Sequence, residues 1–235
     1  MNDAVVIVSA VRTPIGRFGG SLKSVSSGHL ATVVIEEAIK RAGISPEQVS
    51  EVIMGEVRQT TESSNVARVA ALRAGVPETA PAFTVNRLCA SGMQAITSGV
   101  QQILFEQADI VVAGGTENMS RAPFYLRNSR WGEGNPLLVD SNTENGQQPI
   151  EIFGPNLSMG MTAENVAERF GISREDQDKF AYESQRKAAA AIEAGKFADE
   201  IVPVEVTEGK KTFLFEKDEF PRPDTTLEKL AKLRP

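Results

Sequence analysis

Covalent chemistry needs a nucleophile, and the one thiol of the chain, Cys89, stands in Asn86-Arg87-Leu88-Cys89-Ala90-Ser91-Gly92-Met93. Upstream, Pro81 introduces the apolar run Ala82-Phe83-Thr84-Val85, which reads as a buried strand. Downstream, Met93, Ile96, Val100, Ile103 and Leu104 recur at helical spacing and mark one face of a long helix. The thiol therefore falls where a strand hands over to a helix. There, unpaired backbone N–H groups and the positive end of the helix dipole favour a thiolate and can stabilise an oxyanion. The small residues Ala90, Ser91 and Gly92 leave room beside the sulfur for a thioester. Position alone leaves a second reading open, an inert cysteine held in packing.

Other chemistries find less support. A single cysteine excludes an internal disulfide, and with only one histidine the usual Cys/His metal clusters cannot be assembled, so no metal site is predicted. That histidine, His29, lies in Ser27-Gly28-His29-Leu30 at the entrance to the first helical pattern and reads as structural or surface. Gly114-Gly115 lacks the third glycine of a dinucleotide fingerprint. With 31 acidic against 25 basic residues, net charge −6, there is no broad basic field, and nucleic acid is not an expected partner. The apolar run from Ala4 to Ala10 is far short of the roughly 20 residues a membrane helix needs and has no signal-peptide pattern. No membrane partner is expected, and the predicted location is cytoplasmic.

The elements that must hold Cys89 alternate. The chain has 235 residues, 41% of them hydrophobic, enough for one large domain or two small ones. In the first half short apolar runs alternate with helical patterns, the signature of parallel strands covered by helices. Ala4 to Ala10, nearly continuous and β-branched, predicts a strand buried on both faces. Leu30 to Ala42 predicts an amphipathic helix stopped by Gly43, and Ser45-Pro46-Glu47-Gln48 a capped helical turn before a strand over Glu51 to Gly55. Asn65 to Ala74 reads as helix, and Ile110 to Ala113 as a fourth strand. From Ser120 to Asn156 periodicity fades among Pro, Gly and Asn residues, which predicts an irregular segment. Helical signals resume at Thr162 to Phe170 and at Ser173 to Ala194, the latter with Ser173 and Asp176 as a capping pair and Gly195 as a stop.

Asn86 to Gly92 closely resembles the active-cysteine signature of the thiolases. Further matches follow in that family's order. Val8-Ser9-Ala10-Val11-Arg12-Thr13-Pro14-Ile15-Gly16 resembles its opening strand and loop, and Val112-Ala113-Gly114-Gly115-Thr116-Glu117-Asn118-Met119-Ser120 its exit from the first βα unit. Met159-Gly160-Met161-Thr162-Ala163-Glu164-Asn165 resembles the start of its coenzyme A-binding loop region. Gly171 to Phe180 and Gly195 to Pro203 are similar to its helical stretches, and Arg222-Pro223-Asp224-Thr225-Thr226 to its late loop.

The resemblance implies an α/β, thiolase-like fold, in which two similar βαβαβαββ halves stack in five layers and a loop domain is inserted in the first half. Residues 1–120 would form the N-terminal α/β domain with the nucleophilic cysteine, and 121–235 the loop domain for coenzyme A and oligomer contacts. The second half would be absent, leaving the fold incomplete. In the family the cysteine matching Cys89 attacks an acyl-coenzyme A carbonyl and holds the acyl group as a thioester. A histidine activates that cysteine, and a second cysteine deprotonates the incoming acetyl-coenzyme A. Their Gly-His-Pro and Cys-x-Gly motifs do not occur in this sequence, so the 235 residues alone are expected not to complete a condensation.

Coenzyme A thioesters enter as substrates, with no resident cofactor implied. Met159 would pack against the acyl or pantetheine chain, Ser158 stands where many members carry a histidine near the pantetheine, and Arg222 matches the region contacting the adenine nucleotide. Homodimers or homotetramers are the implied assemblies, with the segment around Arg130 and Trp131 as a candidate interface. The alternative is a truncated thiolase-like module that binds coenzyme A or assembles with partners without catalysis.

Overall fold

The computed structural model describes residues 4–144 and 148–234, which form two compact units, one running to Pro123 and including Asp199–Glu219, the other formed by Phe124–Ala198 and the stretch from Phe220 onward. In the first unit, α1 (Ser27–Ala42) begins where the Ser26 hydroxyl accepts the His29 N–H. It ends at Gly43, whose φ of 69° lets its N–H reach back to the last carbonyls. The capped turn at Pro46–Gln48 leads into β1 (Glu51–Gly55), followed by α2 (Val66–Arg73), β2 (Ala82–Val85), α3 (Ser91–Leu104) and β3 (Val111–Gly115). These strands run parallel in the order β2-β1-β3, so the wholly buried β1 is central.

Alternation along β1 sorts the helices. Val52 and Met54 join Ala31, Ile35 and Ile39 of α1 and Val66, Ala67, Ala70 and Ala71 of α2 in one sealed cluster. Gly55 faces the other way, toward Ser91 of α3. Against this face α3 presents a stripe of small residues, Ser91, Ala95 and Gly99, all buried. The sequence pattern had marked Met93, Ile96, Val100, Ile103 and Leu104 as the apolar face, yet Met93 and Leu104 are 66% and 61% exposed. Small residues win the sheet side because they let the helix approach closely: at Gly99 an added Cβ would lie 3.0 Å from Val111 Cγ1.

The predicted strand over 4–10 is corrected. These residues join no ladder, and Val6, Ile7 and Val8 are exposed. The physical reason is a missing neighbour: an apolar cavity of about 520 Å³ lies beside the run, lined by Val5–Thr13, by β3 and by residues of both helices, Ile35 and Ile39 of α1 and Ile96 and Val100 of α3. Without a ladder partner a β-branched run stays unpaired whatever its propensity.

In the second unit the irregular segment contains a hairpin, β4 (Phe124–Arg127) antiparallel to β5 (Leu137–Asp140), and a short α4 (Ile150–Phe153). Then come α5 (Met159–Phe170) and α6 (Arg174–Glu193), with Ser173 capping α6 through the Asp176 N–H as its spacing predicts. The unit closes on α7 (Leu227–Leu230). No residue of α5 or α6 is buried.

Asp199–Glu219, which the sequence reading placed in the loop domain, folds as a hairpin of β6 (Val204–Glu208) and β7 (Lys211–Phe215) within the first unit. Val204, Val206 and Phe215 pack with Leu22, Val25 and Leu30. A charge clamp adds to this packing. Arg12 donates to Asp218 at 2.7 and 2.9 Å and to Glu200 at 2.5 Å, while the Ile15 N–H donates to Asp218 at 2.8 Å. Arg12 holds the Asp218 carboxyl below the ordinary carboxylate range.

Candidate active site

The parallel register ends β1, β2 and β3 together at Gly55, Val85 and Gly115. Over this carboxyl edge the chain leaves β2, turns through Asn86–Ala90 and enters α3. The start of α3 presses directly on Gly55. A Cβ there would come within 2.5 Å of the Ser91 carbonyl carbon, 2.6 Å of its Cβ and 2.7 Å of the Gly92 nitrogen, so a side chain at this position would displace the helix. Gly115 stands close by, its would-be Cβ 3.4 Å from Gly92 Cα.

Cys89 is exposed at this junction. The residue before it, Leu88, has φ of 49°, in the left-handed region that costs a side-chain-bearing residue roughly 1–2 kcal/mol. A strained residue at a strand-to-helix turn is the kind of backbone that presents a nucleophile outward while placing it beside first-turn N–H groups. Among the described residues none seals Cys89 in packing.

The same sheet edge carries a carboxyl that motif reading missed. Glu56, directly after β1, is 1% exposed; Ser27 Oγ donates to its Oε1 at 2.5 Å, and its Oε2 has no partner among the described residues. Burial pushes this carboxyl up from its ordinary value, the Ser27 bond opposes the shift, and the charge of Glu117 adds to it. Thr116 ties the cluster together by donating to the Ser27 carbonyl at 2.8 Å, and Glu117 accepts the Val57 N–H at 2.9 Å. The available signal was a glutamate placed directly behind the apolar run Val52-Ile53-Met54-Gly55.

Ser158 and Met159 meet at one helix start in the second unit. Ser158 caps α5 by accepting the Met161 N–H at 3.1 Å, and Met159 is the first residue of that helix, its side chain exposed. Arg222 is exposed in the same unit, its N–H donating to Gln185 Oε1 of α6 at 2.7 Å. Cys89 belongs to the first unit. His29 is exposed on the first turn of α1, which packs on the face of the sheet opposite α3. Among the described residues no group of three or more His, Cys, Asp and Glu side chains could hold a metal ion, and no helix is long and apolar enough to cross a membrane.

The thiolase N-terminal domain profile matches residues 5–235. The chain belongs to the thiolase family. It is 47% identical to an acetyl-CoA acetyltransferase of Syntrophomonas wolfei, over all of this chain and 59% of that protein. A probable acetyl-CoA acyltransferase of Staphylococcus aureus strain COL is 46% identical over 98% of this chain and 59% of its own length. The crystal structure of the Bacillus anthracis acetyl-CoA acetyltransferase superposes with TM-score 0.92 at 47% identity, covering 98% of this chain and 58% of that one. Human mitochondrial 3-ketoacyl-CoA thiolase gives 0.90 at 42%, covering 97% and 58%. The thiolase chain described here thus carries an α/β part of the thiolase fold and spans less than two thirds of the length of these relatives.

Proposed function

We propose that Cys89 is the acyl-accepting nucleophile of a thiolase-type acyltransferase acting on coenzyme A thioesters, in acetoacetyl-coenzyme A formation or thiolysis. The carrying observation is an exposed thiol after a left-handed Leu88, at the start of α3 on the carboxyl edge of a parallel sheet. In this reading the Cys89 thiolate attacks the thioester carbonyl carbon, and the first-turn N–H groups of α3 steady the developing oxyanion. The carbon–sulfur bond to coenzyme A then breaks. Coenzyme A leaves as a thiolate and takes up a proton, and the acyl group stays on Cys89.

Ser158, Met159 and Arg222 belong to the coenzyme A contacts of the same reading, with Met159 toward the apolar arm and Arg222 toward the nucleotide. Assembly as a homodimer or homotetramer in the cytoplasm belongs to it as well. On this reading residues 1–235 by themselves are inactive in condensation, because the activating histidine and the proton-abstracting second thiol are not among them. The second reading is a non-catalytic coenzyme A-binding or assembly module. Incubating the full-length protein with acetyl-coenzyme A and mapping peptides by mass decides between them. A hydroxylamine-labile acetyl group on Cys89 is expected, lost with turnover in Cys89→Ser; no adduct, or unchanged turnover in that variant, sinks the proposal.

A further inference from the structure

The loop that carries Cys89 is built around one unfavourable residue, and two polar side chains close on that residue from both ends. Leu88 sits at φ 49°. Its N–H donates to Asn86 Oδ1 at 3.0 Å, and its carbonyl accepts Ser91 Oγ at 2.6 Å. Ser91 Oγ in turn accepts the Arg87 N–H at 2.9 Å, so one hydroxyl links the Arg87 N–H to the Leu88 carbonyl. Ser91 is buried against Gly55, which gives the hydroxyl a fixed base, while Asn86 Nδ2 reaches the Val57 carbonyl at 3.4 Å and anchors the other side to the chain leaving β1.

We infer that Asn86 and Ser91 are positioning residues for the proposed nucleophile: together they hold Leu88 in its left-handed conformation and thereby set the direction in which Cys89 projects. The inference rests on the reading of Cys89 as nucleophile and goes beyond it by assigning roles to two residues that touch no reacting atom. Without the hydroxyl, Leu88 relaxes toward negative φ, the most accessible region for a leucine. The peptide between Leu88 and Cys89 then rotates, and the sulfur moves relative to the helix start. A displacement of about 1 Å at a nucleophile costs on the order of 100-fold in rate.

The test uses the full-length enzyme with acetyl-coenzyme A and the variants Ser91→Ala and Asn86→Ala. The expected result is a fall in kcat of roughly 10- to 100-fold for Ser91→Ala with KM within about two-fold. Peptide-resolved alkylation of Cys89 by iodoacetamide should slow in the native protein and stay unchanged in urea. Asn86→Ala, at an exposed position that leaves the core intact, should show the same split to a smaller degree, which keeps the inference open to refutation even if Ser91→Ala does not fold. Native alkylation and kcat both unchanged in Asn86→Ala, or a rise in KM with kcat preserved, overturns it. Turnover that survives Cys89→Ser is a different failure, since it removes the nucleophile and not the brace.

Discussion

Helices α1 and α3 cover opposite faces of one sheet, yet they do so in opposite ways. α1 turns large residues inward, with Ile35 and Ile39 at 1% and 4% exposure, where they join the alanine face of α2 in one buried cluster and border the cavity beside β3. α3 turns its small residues inward and leaves Met93, Ile96 and Leu104 outside or along the cavity beside β3. The first arrangement stabilises the sheet by burying apolar area. The second gives up area for proximity, bringing the start of the helix onto Gly55 and placing Cys89 over the strand ends. Stability and the candidate chemistry are thus assigned to different faces of the same three strands.

Substitutions on the two faces sharpen this contrast. Ile35→Ala should cost the most, roughly 2–5 kcal/mol in urea unfolding, because it opens a cavity in the sealed cluster. Gly55→Ala should follow at roughly 1–3 kcal/mol, and unlike Ile35→Ala it should also change native Cys89 alkylation, since the added methyl pushes on Ser91 and Gly92. If the alkylation rate stays put, the close contact does not position the thiol.

Glu56→Gln tests the sealed face through pH. The folded-state pKa of Glu56 lies above its ordinary value of 4.5, chiefly through burial. Folding therefore takes up a proton: the contribution is full below 4.5 and is lost as pH rises through the folded value. Glutamine keeps the shape without titrating, so the variant should lose less stability than the parent as pH rises above 4.5; parallel slopes in the two proteins would refute this. Smallest of all, Met93→Ala should change unfolding free energy by no more than about 0.5 kcal/mol, as for an exposed site. A cost above about 2 kcal/mol in the full-length protein would show that the outer face of α3 is covered there, and the contrast would then belong to this chain alone.

Much of the fold was legible because its signals are local. Gly43 stops α1, Ser173 with Asp176 starts α6, and the strand over Glu51–Gly55 shows in the apolar Val52-Ile53-Met54. The thiolase motif around Cys89 was legible for the same reason, since strand, turn and helix follow one another without a gap. What escaped were features set by distant residues. The run over 4–10 has strand composition but no ladder partner among the described residues, and composition cannot supply one. Glu56 carries no local mark of its role; it is buried, accepts a hydrogen bond from Ser27, 29 residues away, and its pKa is raised by burial and by the charge of Glu117. The hairpin of β6 and β7 lay far along the chain from the segment it clamps, 206 residues separating Arg12 from Asp218.

By itself the sequence determined the type and order of the elements from α1 to β3 and which atom is the nucleophile candidate, because caps, periodicity and the cysteine motif act within a few residues of one another. Only the tertiary structure decided which stripe of α3 meets the sheet, which carboxyl is sealed away from water, and how Leu88 is held. Those outcomes depend on how closely two backbones can approach, and that distance is set by residues far apart in the chain, such as Gly55 and Ser91, meeting in space.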